Sequence, residues 1–310
     1  MEQETHEHFS GEETFVPPPK DRIPAAFQLG LALALFLVYA MTTGTAKDDG
    51  SLLKYKDDPA MINMLKVGQA VVVIIVFILP VLIFSFMVRK EKLRFMRLNK
   101  FPKFSYLLVG LTICLVALPL VSGTSIINAK MHLPASMHGI EEWMRAKENS
   151  ANSSIELFFI DRSVTGLILN LLVVAFMAGL SEEIFFRGFI QRLFIDNKMN
   201  LHVAVWLTAV LFSAIHLQFF GFIPRMLLGA VLGYLYAYTN NLWVPILAHT
   251  VNNAFAVVAA WITGSISDDP MSPASNDQVN VPLLALSALL VGGMVWFLHK
   301  RRDTSEILSV

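Results

Sequence analysis

From residue 24 to residue 299 the sequence is broken into eight long apolar runs, approximately 24–43, 64–88, 104–122, 163–190, 201–219, 222–240, 242–263 and 281–299. Each is close to or above the ~20 residues that a helix needs to cross a bilayer. Apolar residues make up 55% of the chain, charged residues only 15%, and mean hydropathy is +0.57, an excess too large for a soluble domain of 310 residues. The expected fold is therefore all-α, a polytopic membrane protein of about eight transmembrane helices. The single cysteine, Cys114, lies inside an apolar run, so it can form no internal disulfide and reads as a small buried apolar residue. The formal net charge is zero, which implies no nucleic-acid partner.

Composition divides the chain into four stretches. Residues 1–22 are polar and acidic with Pro17, Pro18 and Pro19, and predict a disordered cytoplasmic tail in which His6 and His8 are solvated. The first apolar run follows this tail and reads as a signal anchor. Residues 23–162 hold the N-terminal spans and an extracytoplasmic loop. Residues 163–263 form a core, and residues 264–310 a last span with a basic cytoplasmic tail. Orientation follows from lysine and arginine: with the N-terminus inside, cytoplasmic segments hold fifteen of them and the opposite side eight. Both termini are then cytoplasmic, which eight spans allow. In the outer loop, 123–162, the stretch from Gly139 to Arg145 predicts a short amphipathic surface helix carrying Glu141 and Glu142. Asn152-Ser153-Ser154 matches a glycosylation sequon. Gly229 and Gly233 predict close helix packing.

Charge is scarce in the apolar runs, so the exceptions carry information. Residues Ser163 to Ser181 are uncharged, and Glu182, Glu183 and Arg187 follow at once. A charge in a membrane helix costs about 2.5–3.5 kcal/mol on insertion scales and is rarely there without a use. Glu183 and Arg187, four apart, share a helical face and can pair. Glu182 is turned about 100° away and is left to face something else. Two later patches supply partners: Phe212 to His216, and His249 to Asn253. Helix rise puts Glu182 and His249 at one level towards the cytoplasmic side. His216 joins them if the fourth and fifth helices form a hairpin that protrudes into the cytoplasm.

These residues match what peptide hydrolysis requires: a base for water, a proton route and donors for an oxyanion. Glu182 can be the base, His216 can share the water, and His249 with Asn253 can donate to the oxyanion. Glu183 and Arg187 would brace the helix. Zinc is the competing cofactor, with Glu182, His216 and His249 as its ligands, although HExxH is absent and no cysteine contributes. A non-catalytic membrane protein and a proton-relay transporter are the alternatives from other classes. No internal repeat of the kind expected of an inverted-repeat transporter is evident.

The ordered patches EExxxR (Glu182 to Arg187), FxxxH (Phe212 to His216) and HxxxN (His249 to Asn253) resemble the three signature motifs of the CPBP family. These are the CaaX-protease and bacteriocin-processing, or Abi, membrane proteins, which include the Ras-converting CaaX endopeptidase. The resemblance covers about 163–263. It implies an intramembrane endopeptidase with a CaaX-protease-like catalytic helix bundle, acting on a membrane-associated protein or peptide within a lipid bilayer. A bacterial cytoplasmic membrane is the expected location. By position, Glu182 and His216 would activate water, His249 and Asn253 would form the oxyanion site, and Glu183 and Arg187 would support Glu182. The family is often labelled metalloprotease, so both glutamate-type and metallo-type chemistry stay open. Some members of this kind act as immunity or scaffold proteins.

Overall fold

The computed structural model describes residues 54–88, 95–264 and 278–301, together with Gly30 and Ala34. The expected tail, 1–22, the rest of the expected span 24–43, and segments 89–94, 265–277 and 302–310 lie outside the described residues.

All described regular structure is helical. Helix α1 runs as Pro59–Val73, a π-helical stretch Ile74–Ile78, and Leu79–Val88. It starts where the Asp58 carboxylate accepts the Met61 N–H at 3.0 Å and Pro59 takes the first turn, where a missing N–H costs nothing. Helix α2 is Phe104–Ala129, α3 is His138–Phe159, and α4 is Val164–Asp196 with π-helical stretches at Leu171–Met177 and Ile184–Gln191. Ser163 caps α4 through the Gly166 N–H. Helix α5 is Leu201–Ala214, capped by Asn200. Helix α6 is Phe222–Thr239 behind a 3-10 turn, Phe219–Gly221. Helix α7 is Trp243–Thr263 and α8 is Val281–Arg301. Among the described residues, six helices are long and apolar enough to cross a membrane: α1, α2, α4, α6 with its leading turn, α7 and α8.

Two expectations are corrected. The fifth apolar run carries a helix too short to count among these six. Helix α5 has 14 residues, about 21 Å, and stops at Ala214. The His216 ring takes the Phe212 carbonyl at 2.7 Å, so the His216 backbone N–H turns to Ser213 instead and the ladder ends. Leu217 then enters the left-handed region at φ 52. The short surface helix expected at 139–145 is the first third of the 22-residue α3. Its outer half carries on because nothing between Arg145 and Phe159 breaks a helix.

Helices α4 and α5 form a hairpin, and α5 runs back along α6. Gly229 and Gly233 allow this close approach. A Cβ on Gly229 would lie 3.1 Å from the Phe212 ring, and one on Gly233 2.8 Å from Gln191 Oε1. The bared α6 carbonyls accept from α4: Arg187 Nη2 donates to Gly229 O at 2.8 Å and Gln191 Nε2 to Gly233 O at 2.9 Å. Every residue of Ile184–Gln191 is buried, with Phe185, Phe186 and Phe189 packed on Phe77 and Phe84 of α1 and on Phe212. On the other flank Ser287 of α8 inserts beside Pro119 of α2, accepting from Leu120 N–H and donating to Val116 O. Cys114 is buried there, as expected.

The two ends of the bundle differ. At one end Asn241 and Trp243 donate to Lys100 O and Leu98 O, and Tyr238 meets His299. At the other, Trp261 Nε1 donates to Arg162 O, and Asn128 bonds the turn before α6. Helix α3 lies at this second end. Lys66, inside the apolar run 64–88, is buried within α1.

Candidate functional site

Glu183 is the buried centre of the site. Its Oε1 accepts from Arg187 Nη1 at 2.5 Å, and both side chains are fully buried. The same oxygen lies 2.8 Å from Nδ1 of His249, itself 3% exposed. A carboxylate only accepts, so this nitrogen carries the proton and Nε2 points onward. What Nε2 faces is Glu182, at 3.8 Å from Oε2. On the other side, His216 Nε2 lies 4.0 Å from Glu182 Oε1. His216 is also fixed in one tautomer: Nδ1 donates to the Phe212 carbonyl, leaving a bare lone pair on Nε2 in the neutral ring. Separations near 4 Å are too long for direct hydrogen bonds and leave room for a bridging water.

Phe212, the first residue of FxxxH, holds these groups apart. Its ring meets His216 at 5.2 Å and His249 at 5.9 Å edge-on, and the Arg187 guanidinium lies 4.8 Å from its centre. The adjacent carboxylates are thus divided by helix geometry, Glu183 facing the bundle interior and Glu182 facing open space. That space is a cavity of about 790 Å³. Glu182, His216 and His249 are at its inner end, Val173, Val174 and Val257 on its apolar walls, and Arg145, Glu148 and Asn152 of α3 at the far end.

Asn253 reaches the cavity from α7, one turn beyond His249. Its Nδ2 is 3.4 Å from Val174 O, a carbonyl in the π-helical stretch of α4, where the wider turn loosens the regular ladder. Asn252 lines the same cavity, is 5% exposed, and lies 3.4 Å from Asn253 Oδ1. The sequence reading passed over Asn252, although its i, i+3 spacing from His249 puts it on the same helical face. It also passed over α3 and Arg225, which line the cavity from outside the motifs. Asn152 bonds Gln218 at 3.1 Å and faces this cavity, a placement that does not suit a glycan acceptor. Glu141 and Arg145 pair at 2.7 Å. The backbone N–H of Leu133 on Glu141, with His132 and Arg145 beside it, pulls that carboxyl down to about 2.

The six residues singled out by sequence therefore share one site, with Glu183 and Arg187 behind it and the other four on the cavity. Glu182, His216 and His249 have the donor chemistry that zinc accepts. Ligands about 2.0–2.2 Å from a tetrahedral ion lie closer to one another than 3.8 and 4.0 Å. Among the described residues, no group of three or more His, Cys, Asp or Glu side chains is placed to hold a metal. The three side chains would have to draw together by a few tenths of an ångström to hold an ion, and no step below is routed through one.

Residues 164–255, which contain all three motifs, match the protein family described as "Type II CAAX prenyl endopeptidase Rce1-like". The chain is 31% identical over 100 residues, 31% of its length, to "Uncharacterized protein YpbD" of Bacillus subtilis (strain 168), covering 46% of that protein. It is also 31% identical over 90 residues, 29% of its length, to "Putative membrane peptidase YdiL" of the same organism, covering 36% of it. The chain thus spans less than half the length of these curated relatives. No solved structure matches it. The match bears out, for this stretch, the family resemblance read from the motifs, and the six apolar helices among the described residues fit an integral membrane protein.

Proposed function

We propose that this chain is an intramembrane endopeptidase that hydrolyses a peptide bond of a membrane-associated protein or peptide with water activated by Glu182 and His216. The observation that carries the reading is the convergence of both histidines on Glu182, at 4.0 and 3.8 Å, at the inner end of the cavity. Water between these groups gives one proton to the Glu182 carboxylate and directs the other at the bare Nε2 of His216. Its oxygen attacks the scissile carbonyl carbon. The oxyanion takes hydrogen bonds from the Asn253 amide and from His249 Nε2–H, the ring being held from behind by Glu183. The C–N bond then breaks as Glu182 passes its proton to the leaving nitrogen. Arg187 pairs with Glu183 directly beneath His249.

Among the described residues, those lining the cavity run from this site to the α3 end, and none is from the opposite end. That shape suits a substrate that enters and leaves by one mouth, and gives a proton-relay transporter no through path. With both termini cytoplasmic, as the fifteen-to-eight charge count favours, the α3 mouth faces the extracytoplasmic side of a bacterial membrane.

The test compares membranes from cells making wild type or Glu182→Gln by mass spectrometry of new peptide termini. A membrane peptide cut only with the wild type is expected. Identical termini in both, with both proteins folded and present at equal level, would point to the non-catalytic alternative.

A further inference from the structure

We infer that Glu148 of α3, outside the family-matching stretch, is a positioning residue for His216. The inference rests on the peptidase reading above. His216 sits in the connection 215–218 between α5 and the turn leading into α6, and its ring is hydrogen-bonded locally, to Phe212 O. One residue later Leu217 is left-handed at φ 52, a strained conformation for a branched side chain that surrounding structure must hold. The direction of His216 Nε2 therefore depends on where residues 218–221 are fixed.

Those residues begin a helix, whose first amides need acceptors. Neither the 3-10 turn Phe219–Gly221 nor α6 has a capping side chain of its own. Other elements supply the caps. Glu148 Oε2 accepts the Phe220 N–H at 3.1 Å, and Asn128 Oδ1 of α2 accepts the Ile223 N–H at 2.8 Å. A carboxylate suits the first of these positions, because the helix N-terminus carries partial positive charge. Helix α3 adds Asn152, which takes a hydrogen bond from Gln218 at 3.1 Å, and Trp143, whose ring lies 5.3 Å from that of Phe219. Arg145 covers the Phe220 ring at 4.1 Å. Burial raises the Glu148 carboxyl while the Phe220 N–H opposes that rise, so the group is neither a free surface acid nor a member of an ion pair alone. The result is a clamp from α3 onto the segment two to four residues beyond His216.

The experiment uses the full chain in detergent, with Glu148→Ala and Glu148→Gln. Hydrogen exchange of the peptide covering 215–221 needs no substrate. In Glu148→Ala it is expected to speed up about tenfold at the Phe220 amide, against an unchanged α7. Glu148→Gln keeps an acceptor oxygen and should stay close to wild type. On the peptide whose cleavage depends on Glu182, Glu148→Ala should lower kcat about 10- to 100-fold with KM kept within about threefold, and Glu148→Gln should recover most of it. Unchanged exchange in Glu148→Ala overturns the inference. So does faster exchange with full kcat, which leaves the peptidase reading standing. A wild type that cuts nothing removes the peptidase reading itself, and the positioning role with it.

Discussion

Glu183 accepts from two donors through one oxygen, Arg187 at 2.5 Å and His249 at 2.8 Å, both side chains of the Glu183–Arg187 pair being fully buried. Removing either charge of a buried pair strands the other, at a cost of about 3–5 kcal/mol. Glu183→Gln and Arg187→Ala are each expected to lower folded yield and the thermal midpoint in detergent. Glu183→Gln should also depress turnover in whatever protein survives, since an amide can present its NH2 to His249 Nδ1 and lose the fixed orientation of the ring that the carboxylate gives. Thermal unfolding and activity of both purified variants check this. Full yield and full activity in both would mean that the pair is dispensable. Arg187 has a second task that substitution by lysine would not reproduce, a simultaneous bond to Gly229 O at 2.8 Å from the other arm of its fork.

Helices α4 and α7 carry Glu182 and His249, so the site depends on how closely the two approach. Gly179 marks the contact, three residues before Glu182. A Cβ there would stand 2.8 Å from Thr250 Oγ1 and 3.0 Å from the Thr250 backbone nitrogen, one residue past His249. The backbone of α7 would have to move. Gly179→Ala is expected to reduce kcat/KM about 10- to 100-fold, because sub-ångström displacement of reacting groups is that costly. Gly292→Ala on α8, where a Cβ meets nothing within 4 Å, is the matched control. It should change stability by less than about 0.5 kcal/mol and leave activity alone. Steady-state kinetics on both variants separate helix spacing from a general intolerance of alanine.

At the scale of the whole molecule, two measurements bear on sidedness and on cofactor. Reporter fusions are expected to place Val310 and residues 95–103 on the cytoplasmic side; an extracytoplasmic signal at Val310 would reverse the orientation and turn the α3 mouth towards the cytoplasm. Metal analysis of purified protein, with activity followed through exhaustive chelation and re-addition, is expected to leave activity unchanged. Near-stoichiometric zinc, with activity lost on removal and restored by zinc alone, would reassign Glu182, His216 and His249 as ligands and leave Asn253 as the remaining oxyanion donor.

The sequence by itself determined the helical membrane fold, since apolar runs of bilayer length admit little else, and it determined which polar residues stand out, since charge in lipid is costly enough to be conspicuous. Pairing of Glu183 with Arg187 was also legible, because i, i+4 spacing is a local property of one helix. What only the tertiary structure decided depends on contacts between residues far apart in the chain. The length of α5 was hidden because an apolar run continues past the point where the His216 ring ends the helix. The burial of Phe185 to Gln191 was hidden because a phenylalanine facing lipid and one facing protein look alike in sequence. The link between Glu183 and His249 spans 66 residues. The roof over the cavity comes from α3, a helix polar enough to read as surface, whose Glu148 meets Phe220 across 72 residues. Periodicity reports which face of a helix is apolar; it does not report which other helix covers it.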